Sequence, residues 1–283
     1  MTDIDLLEAR RRVARQVDAA LAAHPAVVAV LVFGSVATGY VDAHSDVDIL
    51  AVCHTAPLTL AERQELLAPL GSGWHWQDTT DDNALFAERD SEGDIGGIRV
   101  SVHYQTASWI TAVLHAVLLE GAITTPQLPF RPYTLPALLL RAWVLSDHCG
   151  LIRQWQAQAQ AFPALLKAHL LRQWGPLLSS YVTELTEAAH RGFGPRVFLF
   201  FLDRALDALL SLLYALNDLY DPADKRAEHT ILPTLPLLPT TFLARWAMVV
   251  HGPFDDAGQR ERASILASLV ADVLVLVDNA NLR

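Results

Sequence analysis

The hydrophobic positions of this chain follow two rhythms in its first part and one in its second. Leu6, Leu7, Val13, Val17, Ala20 and Leu21 recur at helical spacing, which predicts a helix from Ile4 to His24, stopped by His24-Pro25. Val27 to Phe33 is a short β-branched run ended by Gly34, and Ile49-Leu50-Ala51-Val52 is a second such run; both predict buried strands. Thr59 and Glu62 stand at the cap and third positions of TLAERQELLAPL, a helix with a capping box. Trp74 to Asp78 and Ala84 to Glu88 read as short strands around the polar turn Thr79 to Asn83, and Asp90 to Asp94 reads as a loop. Ile98 to Thr106 alternates: Ile98, Val100, Val102 and Tyr104 share one face, and Arg99, Ser101 and His103 share the other. Ser108 to Leu119 is helical and closes at Gly121.

Four prolines between Pro126 and Pro136 predict an extended connector. The expected domains are therefore 1–125 and 126–283. Beyond the connector the pattern is helical: Leu135 to Asp147, Leu151 to Glu187 with an interruption near Gly175-Pro176, Arg196 to Tyr220, Thr240 to Val250 and Asp256 to Asp278. The fold class this predicts is α+β, a mixed sheet flanked by helices followed by an all-α helical bundle.

Composition narrows the partners. With 283 residues, 52% hydrophobic and 18% charged, the chain can bury a large core. A net charge of −10 argues against a nucleic-acid partner and suits a cationic or neutral small molecule. Two cysteines, Cys53 and Cys149, are too few for a disulfide framework, and the N-terminus lacks the apolar stretch of a signal peptide. No uncharged apolar run reaches about 18 residues, so no membrane span is expected. A cytoplasmic location is the simplest reading.

The candidate chemistry lies between the first two strands. Gly34 lets the backbone turn, Ser35 offers a hydroxyl and an amide, and ten residues later come Asp46 and Asp48. Residues two apart on a strand share a face, so both carboxylates project together while Val47 and Ile49 face the core. Such a pair seats a hard divalent cation, and the Gly-Ser turn can hold the phosphates that the cation also touches.

Gly34-Ser35, ten residues, then Asp46-Val47-Asp48 resembles the signature of the DNA polymerase β-like nucleotidyltransferases. GSVATGYVDAHSDVD looks like their small bacterial, aminoglycoside-modifying branch. The resemblance implies transfer of a nucleoside monophosphate, AMP from ATP or another NTP, to a hydroxyl of a small-molecule acceptor, with release of pyrophosphate. Asp46 and Asp48 would hold Mg²⁺, and Gly34 and Ser35 would bind phosphates. Leu216 to Arg226, LNDLYDPADKR, resembles a segment of the same branch that implies a triphosphate contact for Lys225.

This sequence departs from that pattern on the Ile98–Thr106 strand, where the family usually carries a third carboxylate. Here the polar face offers Ser101 and His103, with Asp90, Glu92 and Asp94 in the preceding loop. Either His103 or Ser101 occupies the third position, or Asp94 swings in; His103 is the catalytic candidate. Asp203 and Asp207, four apart on a helix expected to be buried, either orient a cationic substrate, serve as base, or form an ion-paired stripe with Arg204 or Arg196. Two rivals remain: a protein-AMPylating regulator of the minimal nucleotidyltransferase type, and a nucleotide-binding protein without catalysis.

Overall fold

A computed structural model describes residues 3–78, 90–128 and 131–281. The chain forms two compact units, Met1–Ala161 and Phe162–Arg283. The division falls after Ala161 rather than at the proline-rich connector, because the chain beyond the connector adds a strand to the sheet. The predicted strand Ala84–Glu88 and its turn lie outside the described residues.

The first unit is a six-stranded mixed sheet with helices. It opens with α1 (Asp3–Leu21), β1 (Val27–Phe33), α2 (Gly34–Thr38), β2 (Val47–Cys53) and α3 (Leu60–Leu67). It continues with β3 (Ser72–Gln77), β4 (Asp90–Ile95), β5 (Ile98–Thr106), α4 (Ala107–Glu120), α5 (Thr134–Arg141), β6 (Trp143–Asp147) and α6 (Leu151–Ala159). The strand order is β3-β4-β5-β2-β1-β6, with β2 and β5 parallel and the other pairs antiparallel. This is the α+β class that the hydrophobic pattern predicts.

Local chemistry explains most of the boundaries. Thr59 and Glu62 form the complete capping box of α3, and Thr106 caps α4 by accepting from the Trp109 amide at 3.1 Å. Gly121 closes α4 in the left-handed conformation. The short helix after β1 spans Gly34–Thr38 and is closed by Gly39 in the left-handed conformation.

Two elements differ from expectation. Asp90–Ile95 is a strand, not a loop: Ser91, Gly93 and Ile95 face inward and Asp90, Glu92 and Asp94 outward, joined to β5 through a tight turn at Gly96-Gly97. Trp143–Asp147 is a strand, not the end of a helix; α5 stops at Arg141 and the chain then pairs with β1.

One face of the sheet carries Val30, Val32, Val47, Ile49, Ala51, Val100, Val102 and Tyr104, all buried in a cluster with Leu6, Val13, Ala14, Val17 and Leu21 of α1 and Leu67 of α3. Arg63 of α3 is fully buried beside this core. It donates to the Gln77 carbonyl at 2.8 Å, the Asp90 carbonyl at 3.0 Å and Asp78 Oδ1 at 2.9 Å, and lies over the Tyr104 ring. That single guanidinium fixes the end of β3 against the start of β4.

The second unit comprises α7 (Ala164–Arg191), α8 (Pro195–Leu216), the single turn α9 (Ala227–Thr230), α10 (Phe242–His251) and α11 (Asp256–Asn281). The expected interruption near Gly175-Pro176 is absent: α7 runs through Pro176, and the break comes instead at Phe162-Pro163. Helix α8 exposes Leu199, Phe200, Asp203 and Arg204 in its first half and buries every residue from Ser211 to Leu216, so the expectation of a buried helix holds for its C-terminal half and not for its start. Asp256–Ala280 is long and apolar enough to cross a membrane by length and composition. Within the unit, its residues Ala263, Leu266, Leu269, Val270 and Val273 are buried where it packs against α7, α8 and α10, and a third of the apolar window is buried in all.

Candidate functional site

Pairing register builds the site. On β2, Asp48 stands opposite Phe33 of β1 and Ser101 of β5, while Leu50 stands opposite Leu31 and His103. On β4, Glu92 pairs with Ser101, Asp90 with His103 and Asp94 with Arg99. Paired residues project to the same side of a sheet. Phe33, Asp48, Ser101, His103, Asp90 and Glu92 therefore share the face opposite the α1–α3 core. Asp46 lies one residue before β2 begins, on the loop that leads into it. Asp46 and Asp48 are both half-buried.

Gly34 comes against Asp48. Its φ is +68°, and a Cβ built on it would lie 2.7 Å from Asp48 Oδ2. Only glycine lets the turn pass so close to the Asp48 carboxylate. Ser35, next along, is half-buried in the first turn of α2.

The loop before Asp46 is pinned by a residue that the sequence did not single out. Arg10 of α1 is buried, and it donates from Nε to the Ser45 carbonyl at 2.6 Å, from Nη2 to Ala43 at 3.2 Å and from Nη1 to Leu6 at 3.2 Å. Asp42 turns the same loop by accepting from the His44 amide at 2.9 Å and the Ser45 hydroxyl at 3.1 Å. Arg10 shares a helix face with apolar residues, and its partners are main-chain atoms far along the chain, so no sequence pattern marks it.

His103 Nδ1 lies 2.8 Å from Asp90 Oδ1, with the two side chains 17% and 24% exposed. A carboxylate can only accept, so the ring nitrogen donates. The Phe33 ring packs against the imidazole at 5.6 Å between centroids. Ser101 is buried. Glu92 is more exposed and reaches Arg99 at 3.4 Å, and Asp94 accepts from the Gly97 amide at 2.7 Å in the hairpin turn. Asp90, Glu92 and Asp94 thus belong to a strand, and Asp94 is committed to the turn rather than swung toward Asp48.

The remaining candidates lie in the second unit. Asp203 is exposed and Asp207 half-buried on α8, where Arg204 lies over the Phe200 ring. Lys225 is exposed between α8 and α9. The segment around it has a structural role: Asn217 donates to the Leu213 and Leu237 carbonyls at 2.8 and 3.1 Å and accepts from the Leu237 amide at 2.7 Å. The Tyr220 ring packs at a tilt against Phe162, 4.8 Å between centroids, and burial pushes its phenol well above the usual range.

Among the described residues no group of three or more His, Cys, Asp or Glu side chains is gathered closely enough to hold a metal ion. Asp48, in the space left by Gly34, and Asp46, two residues before it, are nevertheless half-buried carboxylates of the kind that fit a hard cation, since Mg²⁺ is commonly held by one or two carboxylates together with substrate phosphates.

No family model matches the chain, and no curated protein matches it. Among solved structures it is similar to a nucleotidyltransferase-like protein from Exiguobacterium sibiricum 255-15, at 11% identity and a TM-score of 0.45, over 95% of this chain and 74% of that one.

Proposed function

We propose that the chain is a nucleotidyltransferase that moves a nucleoside monophosphate, AMP from ATP or another NTP, to a hydroxyl of a small molecule. The observation that supports this most is the Gly34–Asp48 approach, which sets a Gly-Ser turn against a carboxylate of β2. Ser35 and the Gly34-Ser35 amides would bind the outer phosphates, and Asp46 and Asp48 would hold Mg²⁺. When bound, the ion neutralises charge on the triphosphate and the departing pyrophosphate. Lys225 is the cation that the sequence resemblance offers to the triphosphate. The net charge of −10 favours a cationic acceptor, such as an aminoglycoside, over a nucleic acid. A cytoplasmic enzyme is consistent with free thiols at Cys53 and Cys149.

A second reading has one observation behind it. Among the described residues no third ligand is gathered beside Asp46 and Asp48, and a chain with that site alone would bind a nucleotide and Mg²⁺ and transfer nothing. Pyrophosphate release separates the two. Each of the four NTPs is incubated with Mg²⁺ and a panel of aminoglycosides and simple polyols. Release that requires both Mg²⁺ and an acceptor supports the transferase. Saturable nucleotide binding with no release under any pairing selects the second reading.

A further inference from the structure

We infer that His103 and Asp90 form a base dyad that does the work of the carboxylate missing from β5: His103 takes the acceptor's proton, and Asp90 holds the ring for it. The inference rests on the nucleotidyl-transfer reading.

The geometry favours this pair over the other polar groups on the face. His103 is one strand across and one residue pair along from Asp48, a diagonal neighbour about 7–8 Å away. Glu92 lies on the same row as Asp48 but two strands away, about 10 Å, and faces Arg99. Asp94 is taken by the hairpin turn, and Ser101 has no basic atom.

The dyad is also built to stay in place. The Asp90 carboxylate accepts from Nδ1, so the neutral ring carries its lone pair on Nε2, the form a base requires. Phe33 packs on the imidazole. The Asp90 carbonyl is held by buried Arg63, which anchors the first residue of β4. A second carboxylate that orients a histidine without touching substrate is a positioning residue, and that is the role assigned to Asp90.

In the step itself, the acceptor oxygen forms a bond to the α-phosphorus as the bond from that phosphorus to the bridging oxygen of pyrophosphate breaks. The acceptor's proton passes to His103 Nε2, and the bond's electrons leave with pyrophosphate. The proton then returns to water, so no oxidant or further reactant is needed.

The test compares wild type with His103→Gln, Asp90→Asn and, as a control on the same face, Glu92→Gln. Pyrophosphate release is measured from ATP and Mg²⁺ with the aminoglycoside and polyol panel, and the imidazole tautomer is read by ¹⁵N NMR. The dyad predicts a fall in kcat of about 10²-fold or more for His103→Gln with KM for ATP little changed. It predicts a fall of about tenfold or more for Asp90→Asn, near wild-type rates for Glu92→Gln, and an Nδ1-protonated His103 that loses this preference in Asp90→Asn. A wild type that releases no pyrophosphate overturns the transfer reading and the dyad's role with it. An active wild type beside a His103→Gln variant within twofold of it overturns the dyad alone. A native His103 protonated on Nε2 in place of Nδ1 overturns it whatever the kinetics.

Discussion

Gly34 and Asp48 approach so closely that a single methyl group on Gly34 would sit 2.7 Å from Asp48 Oδ2. Two demands meet at Gly34: a left-handed backbone at φ +68° and clearance for a carboxylate on the neighbouring strand. Each alone favours glycine; together they leave no other residue.

Gly34→Ala should therefore do two separable things. Backbone strain costs about 1–2 kcal/mol of stability, read by urea denaturation. Displacement of Asp48 should lower Mg²⁺-dependent NTP turnover by about 10²-fold, more than so small a loss of stability accounts for. Near-normal turnover would show that the approach has no bearing on catalysis.

Arg10 makes a different prediction, because it supports Asp46 from outside the site. Arg10→Ala removes three bonds to main-chain carbonyls and should destabilise the fold by about 3 kcal/mol in denaturant titrations. Arg10→Lys can satisfy fewer of these carbonyls, so it should fold while needing more Mn²⁺ to saturate the nucleotide complex in calorimetry. Unchanged Mn²⁺ affinity would make Arg10 a purely structural residue.

Acid should loosen α3 first through its cap. The Thr59 hydroxyl, and then its amide, hold Glu62 below the ordinary glutamate range. A carboxylate lowered on folding contributes stability above its unfolded value and loses it as the pH falls through the folded one, which for Glu62 lies below the ordinary glutamate range. Glu62→Gln should remove that part of the pH dependence and leave stability at pH 7 slightly reduced, as paired denaturation curves across pH 3–7 would show. Parallel wild-type and variant curves would contradict it.

In the second unit, Asn217→Ala should cost about 2 kcal/mol, since it breaks both bonds to Leu237 and one to Leu213. Lys225→Ala should leave stability unchanged, because Lys225 is exposed, and thermal melts of the two variants would show the contrast.

What the sequence makes legible is what local chemistry decides. The alternation of β5, the capping box at Thr59 and Glu62, and the Gly-Ser turn with its two aspartates depend on residues a few positions apart. Strand β4 is illegible for a tertiary reason. Its inward positions, Ser91 and Gly93, are small because Trp74 and Tyr104 press on them: a Cβ on Gly93 would meet the Trp74 ring at 2.5 Å, and Tyr104 donates to Ser91 at 3.3 Å. An inward row of small residues carries no hydrophobic signal, so DSEGDI reads as a loop. The same blind spot hides the His103–Asp90 pair, which exists only once β4 lies beside β5. Strand β6 is hidden by the opposite fault, an apolar run continuous with α5 that periodicity cannot divide.

The most direct test of the account is Mg²⁺-dependent pyrophosphate release by wild type beside Asp46→Ala and Asp48→Ala, each confirmed as folded by circular dichroism. The account predicts acceptor-dependent release by the wild type and none above background from either variant. Full activity in either variant would contradict it.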